Sequence, residues 1–177
     1  MKSSASTAPL LQVPDSFEQE FPDASALATE SFINIGVLAG AVQGLVEKLV
    51  AREGLPSAAA FNVLSVLAGD PAPLRPSVIA DRMMVTRATT TGLLDTLEGG
   101  GFVLRTRAAT DGRSREVSLT RKGREVVDRL VPAMHRFERH LMGSLTDRQL
   151  HQLLRMVAVL QARVASIDPD VRFGIRA

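Results

Sequence analysis

The sequence contains no cysteine, no tryptophan and no tyrosine. The first absence excludes disulfides, thiolate zinc sites, cysteine nucleophiles and thiol redox switches. The other two leave phenylalanine as the only aromatic residue, at 4% of the chain, so stacking on bases is an unpromising way to bind nucleic acid. Histidine is scarce as well. His135 and His140 stand five apart and turn to different faces of a helix, and His151 is the third; no metal site is expected, with or without Glu138. No nucleophile, base and acid stand at a recognisable spacing, so neither catalysis nor a cofactor is expected. Long hydrophobic runs are lacking too. Residues 1–14 have no extended apolar core of the secretory kind. The apolar run 32–46 contains Asn34 and Gln43, ends at Glu47-Lys48, and is too short for a membrane span. The expectation is a cytoplasmic protein with no membrane partner.

What is present is an uneven distribution of charge. The net charge of +2 hides a basic segment: from Arg82 to Arg129, ten Lys or Arg stand against six acids, leaving +4. The remaining eleven basic and thirteen acidic residues leave −2. A basic segment on a mildly acidic body suits a nucleic-acid partner. The plainer alternative is a solvated charged face. Within that segment, residues 102–107 and 115–119 read as two strands, with Val117 and Leu119 alternating against Glu116 and Ser118. Asp111-Gly112-Arg113 is a tight turn between them. Such a hairpin offers Arg105, Arg107, Arg113 and Arg115 to an anionic partner. Arg113 suits a narrow minor groove, and Asp111 can accept its N–H bonds and limit its rotamers.

The rest reads as helices. Residues 1–24, rich in Ser, Ala and Pro, read as a flexible arm whose Phe17 and Phe21 dock on the body or on a second subunit. Residues 25–53 form a long helix ended by Gly54. Its glycines Gly36, Gly40 and Gly44 line one face, which admits a closely packed helix or a ligand. Helices follow over 57–67, with Phe61 inward, over 76–83 and over 87–98, the last capped by Thr86. Gly69 to Pro73 is read as a loop. Thr86, Arg87, Thr89 and Thr90 occupy the first turn of the helix over 87–98. In a helix–turn–helix that end meets the base edges, where Arg pairs with guanine and a Thr methyl meets thymine. The alternative is that these threonines only cap and fill the helix. Thr120 caps a helix to about residue 142 that contains Pro132. Thr146 and Gln149 form a capping box for the last helix. There Leu150, Leu153, Val157, Leu160, Val164 and Ile167 step three and four apart, as in a coiled-coil seam. An ordinary core stripe has the same spacing. With so many apolar faces, the expectation is a homodimer joined by its terminal helices.

The order of these elements resembles the MarR family of bacterial transcription regulators over residues 25–167. The most specific part is Asp111 to Gly123, with the wing pattern and Leu119-Thr120-Arg121-Lys122-Gly123 behind it. Ile79-Ala80, Thr86-Arg87-Ala88-Thr89-Thr90, Leu97 and Gly101-Phe102-Val103 fall where the family's helix–turn–helix pattern expects them. The resemblance implies a mainly α fold with a small β-hairpin wing: a winged helix–turn–helix domain over 55–123, a helical dimerisation region over 25–54 and 124–167, and a tail over 168–177. It implies a dimer on double-stranded DNA with a pseudo-palindromic operator, repressing until a small aromatic or apolar effector releases it. The helix over 87–98 would enter the major groove. Arg113, held by Asp111, would enter the minor groove. Gly36, Gly40, Gly44 and Phe61 would line the effector pocket. Two positions depart from the pattern: Met84 stands where the turn often has Gly, and Gly92 where the recognition helix often has Arg. Two other readings stay open, a winged-helix module that binds protein and no DNA, and a small-molecule sequestering protein.

Overall fold

The structure is a computed structural model and describes residues 8–107 and 115–168. The chain divides into two compact units, Met1–Ala133 and Met134–Ala177. The division falls one residue after Pro132, inside a helix.

In the first unit a short helix α1 (Phe17–Glu20) precedes α2 (Ala26–Ala51), α3 (Ala58–Ala68), α4 (Pro76–Met83) and α5 (Arg87–Gly99). Strands β1 (Val103–Arg107) and β2 (Arg115–Leu119) lead into α6 (Arg121–Met142). Three of these helices start at a side-chain cap. Ser25, Ser57 and Thr86 stand extended before α2, α3 and α5, and their hydroxyls accept the N–H of Ala28 (3.3 Å), Ala60 (3.1 Å) and Thr89 (3.1 Å). Each such cap is worth about 1 kcal/mol.

Three helix ends share one geometry. The residue after the last turn is left-handed at Gly54 (φ 76°), Met84 (φ 54°) and Gly101 (φ 73°). The next residue's N–H returns to the helix: Leu55 to the Val50 carbonyl, Val85 to Ala80 and Phe102 to Leu97. This pattern satisfies carbonyls that the helix end leaves free. Two of the three positions use glycine, which has no Cβ to clash in that region. The third uses methionine.

The core centres on α3, which packs against α2, α4, α5 and β2. Phe61, Val63, Leu64 and Leu67 of α3 are buried, as are Ile79 of α4, Leu94 and Leu97 of α5 and Val117 of β2. Burying one such side chain stabilises the fold by about 1.5–3 kcal/mol. The strands pair antiparallel with Val103 opposite Leu119, Arg105 opposite Val117 and Arg107 opposite Arg115. Leu74 adds a third segment: its N–H and carbonyl both bond Val117, at 3.0 and 2.8 Å. A lone bridging residue after a loop rich in proline carries no alternation, so sequence patterning misses it.

The hairpin is fastened to the start of α6. The Thr120 N–H bonds the Phe102 carbonyl (3.0 Å), and its hydroxyl accepts the Gly123 N–H (3.1 Å). A Cβ on Gly123 would collide with the Phe102 carbonyl oxygen, so only glycine allows this approach.

Part of the arm read over residues 1–24 is bonded to α2. The Asn34 side chain accepts the Leu11 N–H (3.0 Å) and donates to the Leu11 carbonyl (2.8 Å), and Glu30 accepts the Val13 N–H (3.0 Å). Glu18 accepts the Ala26 N–H at the start of α2 (2.7 Å). Of the two polar residues that interrupt the apolar run of α2, Asn34 holds the arm, whereas Gln43 bonds Glu47 on the same helix. By length and composition α2 could cross a membrane, although the sequence run alone was too short for that expectation. The helix extends well beyond the apolar run at both ends, so its apolar window is longer than that run. Much of its apolar surface, including Phe32, Ile35, Val37 and Leu38, is exposed.

The second unit comprises the end of α6 and α7 (Asp147–Ala165). Thr146 and Gln149 complete the expected capping box, with the Thr146 N–H donating to Gln149 Oε1 at 2.9 Å.

Candidate nucleic-acid interface

α4 and α5 are joined by three residues, Met84, Val85 and Thr86. The left-handed Met84 turns the chain, and its side chain is 91% exposed. Thr86 then opens α5. This is the geometry of a helix–turn–helix, with α5 as its second helix and the hairpin directly after it.

The first turn of α5 divides by face. Arg87, Ala88 and Thr89 are exposed. The Thr86 and Thr89 hydroxyls are 2.9 Å apart and form the cap together. Thr90 corrects the expectation that it meets DNA. It is only 1% exposed, and its hydroxyl donates to the Thr86 carbonyl at 3.1 Å. Thr90 lies four and seven residues before the buried Leu94 and Leu97, so helical periodicity assigns it to the core. The same periodicity turns out Thr91 and Gly92, which are exposed one turn beyond Arg87 and Ala88. Thr91, four residues after Arg87, is legible on that face from the helical spacing, and its hydroxyl donates to the Arg87 carbonyl at 2.9 Å.

The hairpin arginines also divide. Arg107 and Arg115 are exposed and stand directly opposite each other across the ladder. Like charges so placed repel, and an anion between or beside them removes that cost. Arg105 departs from its expected role. Its side chain is 14% exposed and ion-paired to Asp95 at 2.6 Å and to Glu98 at 3.6 Å. It is held to α5 and is not offered to solvent. Asp111 and Arg113 lie outside the described residues.

Below α4, Arg82 reaches the 69–73 loop and bonds Asp70 at 2.8 Å. That bond, helped by the Ala72 N–H, holds the Asp70 carboxyl below its usual range.

The expected effector pocket is not assembled in the single chain. No heavy atom lies within 4 Å of where a Cβ would sit on Gly36, Gly40 or Gly44, so Phe61 does not touch that stripe. Phe61 is instead buried in the α3 core, because its position on α3 shares a face with Leu64.

Of the residues expected at a subunit interface, Phe17 and Phe21 pack ring against ring at 5.3 Å. Leu153, Val157, Leu160, Val164 and Ile167 are exposed on or just after α7, and Leu150 is half-buried.

A sequence profile described as "MarR family" matches residues 53–114. The chain is similar to the HTH-type transcriptional repressor YetL of Bacillus subtilis, with 28% identity over 83% of this chain and 88% of that protein. It is similar to the HTH-type transcriptional regulator PecS of Dickeya dadantii, with 26% identity over 88% of this chain and 96% of that one. Among solved structures it resembles the S. aureus MepR–DNA complex, with a TM-score of 0.66 and 18% identity over 73% of this chain and 93% of MepR.

Proposed function

From its membership of the MarR family of winged helix–turn–helix regulators, to which this chain belongs, we infer that it is a sequence-specific DNA-binding transcriptional regulator acting as a repressor. The observation that carries the reading is the hairpin's cross-strand pair of exposed arginines, Arg107 and Arg115, placed directly after a helix whose first turn exposes Arg87. Among the described residues that charge has no acidic partner, which suits a polyanion such as DNA. The exposed start of α5 supplies base contacts in the major groove, and the hairpin arginines supply phosphate contacts that fix register.

The regulator works as a homodimer on a pseudo-palindromic operator in the bacterial cytoplasm. The support is the uncovered apolar seam of α7 and the exposed apolar face of α2, which a second copy would bury. The same surface accounts for the hydropathy of α2 without a membrane. Release by a small aromatic or apolar effector completes the reading. The family supports it, and its pocket forms only if a second copy closes over the open glycine stripe.

Fluorescence anisotropy tests the DNA reading, comparing the DNA upstream of the protein's own gene with a scrambled duplex at two salt concentrations. Preference for the first, with affinity falling steeply as salt rises, is expected. Arg87→Ala should cost about 1–3 kcal/mol and relax selection at one base position. No binding to either duplex at low salt would replace this reading with a protein-interaction module. Thermal shift against small aromatic acids tests the effector.

A further inference from the structure

Among the described hairpin arginines, Arg105 alone is turned away from solvent, and its partners all lie on α5. Its guanidinium reaches Asp95 at 2.6 Å and Glu98 at 3.6 Å, and a second nitrogen donates to the Thr91 carbonyl at 3.3 Å. Its backbone N–H donates to the other Glu98 oxygen at 3.2 Å. Thr91, Asp95 and Glu98 are four and three residues apart and so form one stripe down the flank of α5. On β1, Arg105 shares a sheet face with the buried Val103 and stands opposite the buried Val117. One arginine therefore bolts the hairpin to two turns of the helix.

We propose that Arg105 is a positioning residue that fixes the angle between α5 and the hairpin, and thereby sets how Arg87 and the hairpin arginines reach the duplex together. The lock rests on geometry alone; its consequence for sequence selection rests on the DNA-binding reading. With two carboxylates already at its guanidinium, Arg105 is a poor phosphate ligand, because contacting DNA would mean leaving both. Lysine cannot replace it. An ammonium is a single point charge, whereas the planar fork engages a carboxylate and a carbonyl at once.

The absence of cysteine makes the test direct. Spin labels at Thr96→Cys and Thr106→Cys, both exposed positions, report the distance between α5 and the hairpin in the full chain. The same variants are titrated with a duplex selected by the unsubstituted chain from a random pool. Arg105→Met should widen the distance distribution and lower the preference for the selected duplex over a random one by roughly tenfold or more, the scale of a lost base pair. The salt dependence should hold, since no phosphate contact is lost. Arg105→Lys should restore neither the narrow distribution nor the full preference.

An unchanged distribution in Arg105→Met overturns the lock. A salt slope lower by about 0.9 with that unchanged distribution marks Arg105 as a phosphate contact instead. Full rescue by lysine overturns the fork geometry. Should Arg105→Met not fold, Asp95→Asn combined with Glu98→Gln carries the same readouts from the helix side, where the Asp95 side chain is 59% exposed. If the unsubstituted chain selects no duplex, the DNA reading fails, and the distance distribution by itself decides the lock.

Discussion

Met84 holds a left-handed backbone at the corner of the helix–turn–helix, with its side chain in solvent. For an L-residue with a Cβ this conformation costs about 1–2 kcal/mol. Glycine would avoid that cost and lose about 0.5–1 kcal/mol through its freer unfolded state. Met84→Gly is therefore expected to stabilise the protein by roughly 0.5–1 kcal/mol in urea unfolding. A loss of stability would show that the exposed methionine makes a contact worth more than the strain. Single residues also mark where sequence patterning reached its limit. Thr86 and Arg87 were legible as a cap and an exposed first-turn residue. Thr90 was legible only by carrying the helical period back from Leu94 and Leu97. Arg105 was not legible as paired to α5, because nothing local announces that Asp95 and Glu98 will lie beside it.

At the scale of elements, the hairpin has a built-in conflict. Arg107 and Arg115 face each other without an intervening acid. Arg107→Ala should leave the stability of the free protein unchanged or slightly raised, because a repulsive pair is removed. The same change should lower the salt slope of DNA binding by about 0.9 if Arg107 meets a phosphate, with the sequence preference unaltered. Destabilisation of the free protein together with an unchanged slope would remove Arg107 from the interface. The 69–73 loop shows a different device. Asp70 is ionised and bonded to Arg82 on α4, and its carboxyl titrates below its ordinary value of about 3.9. Its contribution to stability is thus fully present above that pH and is lost as pH falls through the lower, folded-state value. Between pH 5 and 3, Asp70→Asn should lose less stability than the unsubstituted chain. Parallel losses in the two proteins would show that the pair has no energetic weight. Helix starts were readable at this scale because their caps are local. The Leu74 bridge to β2 was not, since it depends on a partner 43 positions along the chain.

At the scale of the whole molecule, the exposed apolar seam of α7 is the dominant unsolved surface of a single chain. A dimer should elute and scatter at about 38 kDa, twice the 19.0 kDa of one chain. Leu160→Glu places a charge on that seam at a residue half exposed in the single chain. It should shift the mass toward 19 kDa at micromolar concentration and weaken binding to a two-half operator, while a half-site duplex is still bound. An unaltered mass would move the interface elsewhere. The arm adds a second feature of this scale. Composition reads residues 1–24 as a flexible arm, and within it Leu11 and Val13 are bonded to Asn34 and Glu30 of α2.

The sequence alone determined the order of elements after residue 25, the caps at Thr86, Thr120 and Thr146, the hairpin and the basic segment, because each depends on neighbours within a few residues or on counting charge. It also determined, through the missing cysteines, that no thiol chemistry operates here. Only the tertiary structure decided which of the described hairpin arginines are exposed and which is bound, that Phe61 is apart from the glycine stripe, and that Leu74 joins the sheet. Those outcomes are set by contacts between different elements, whether near in sequence, as for Arg105 and Glu98, or far, as for Leu74 and Val117. Burial and pairing between elements follow from packing, and no local pattern encodes them.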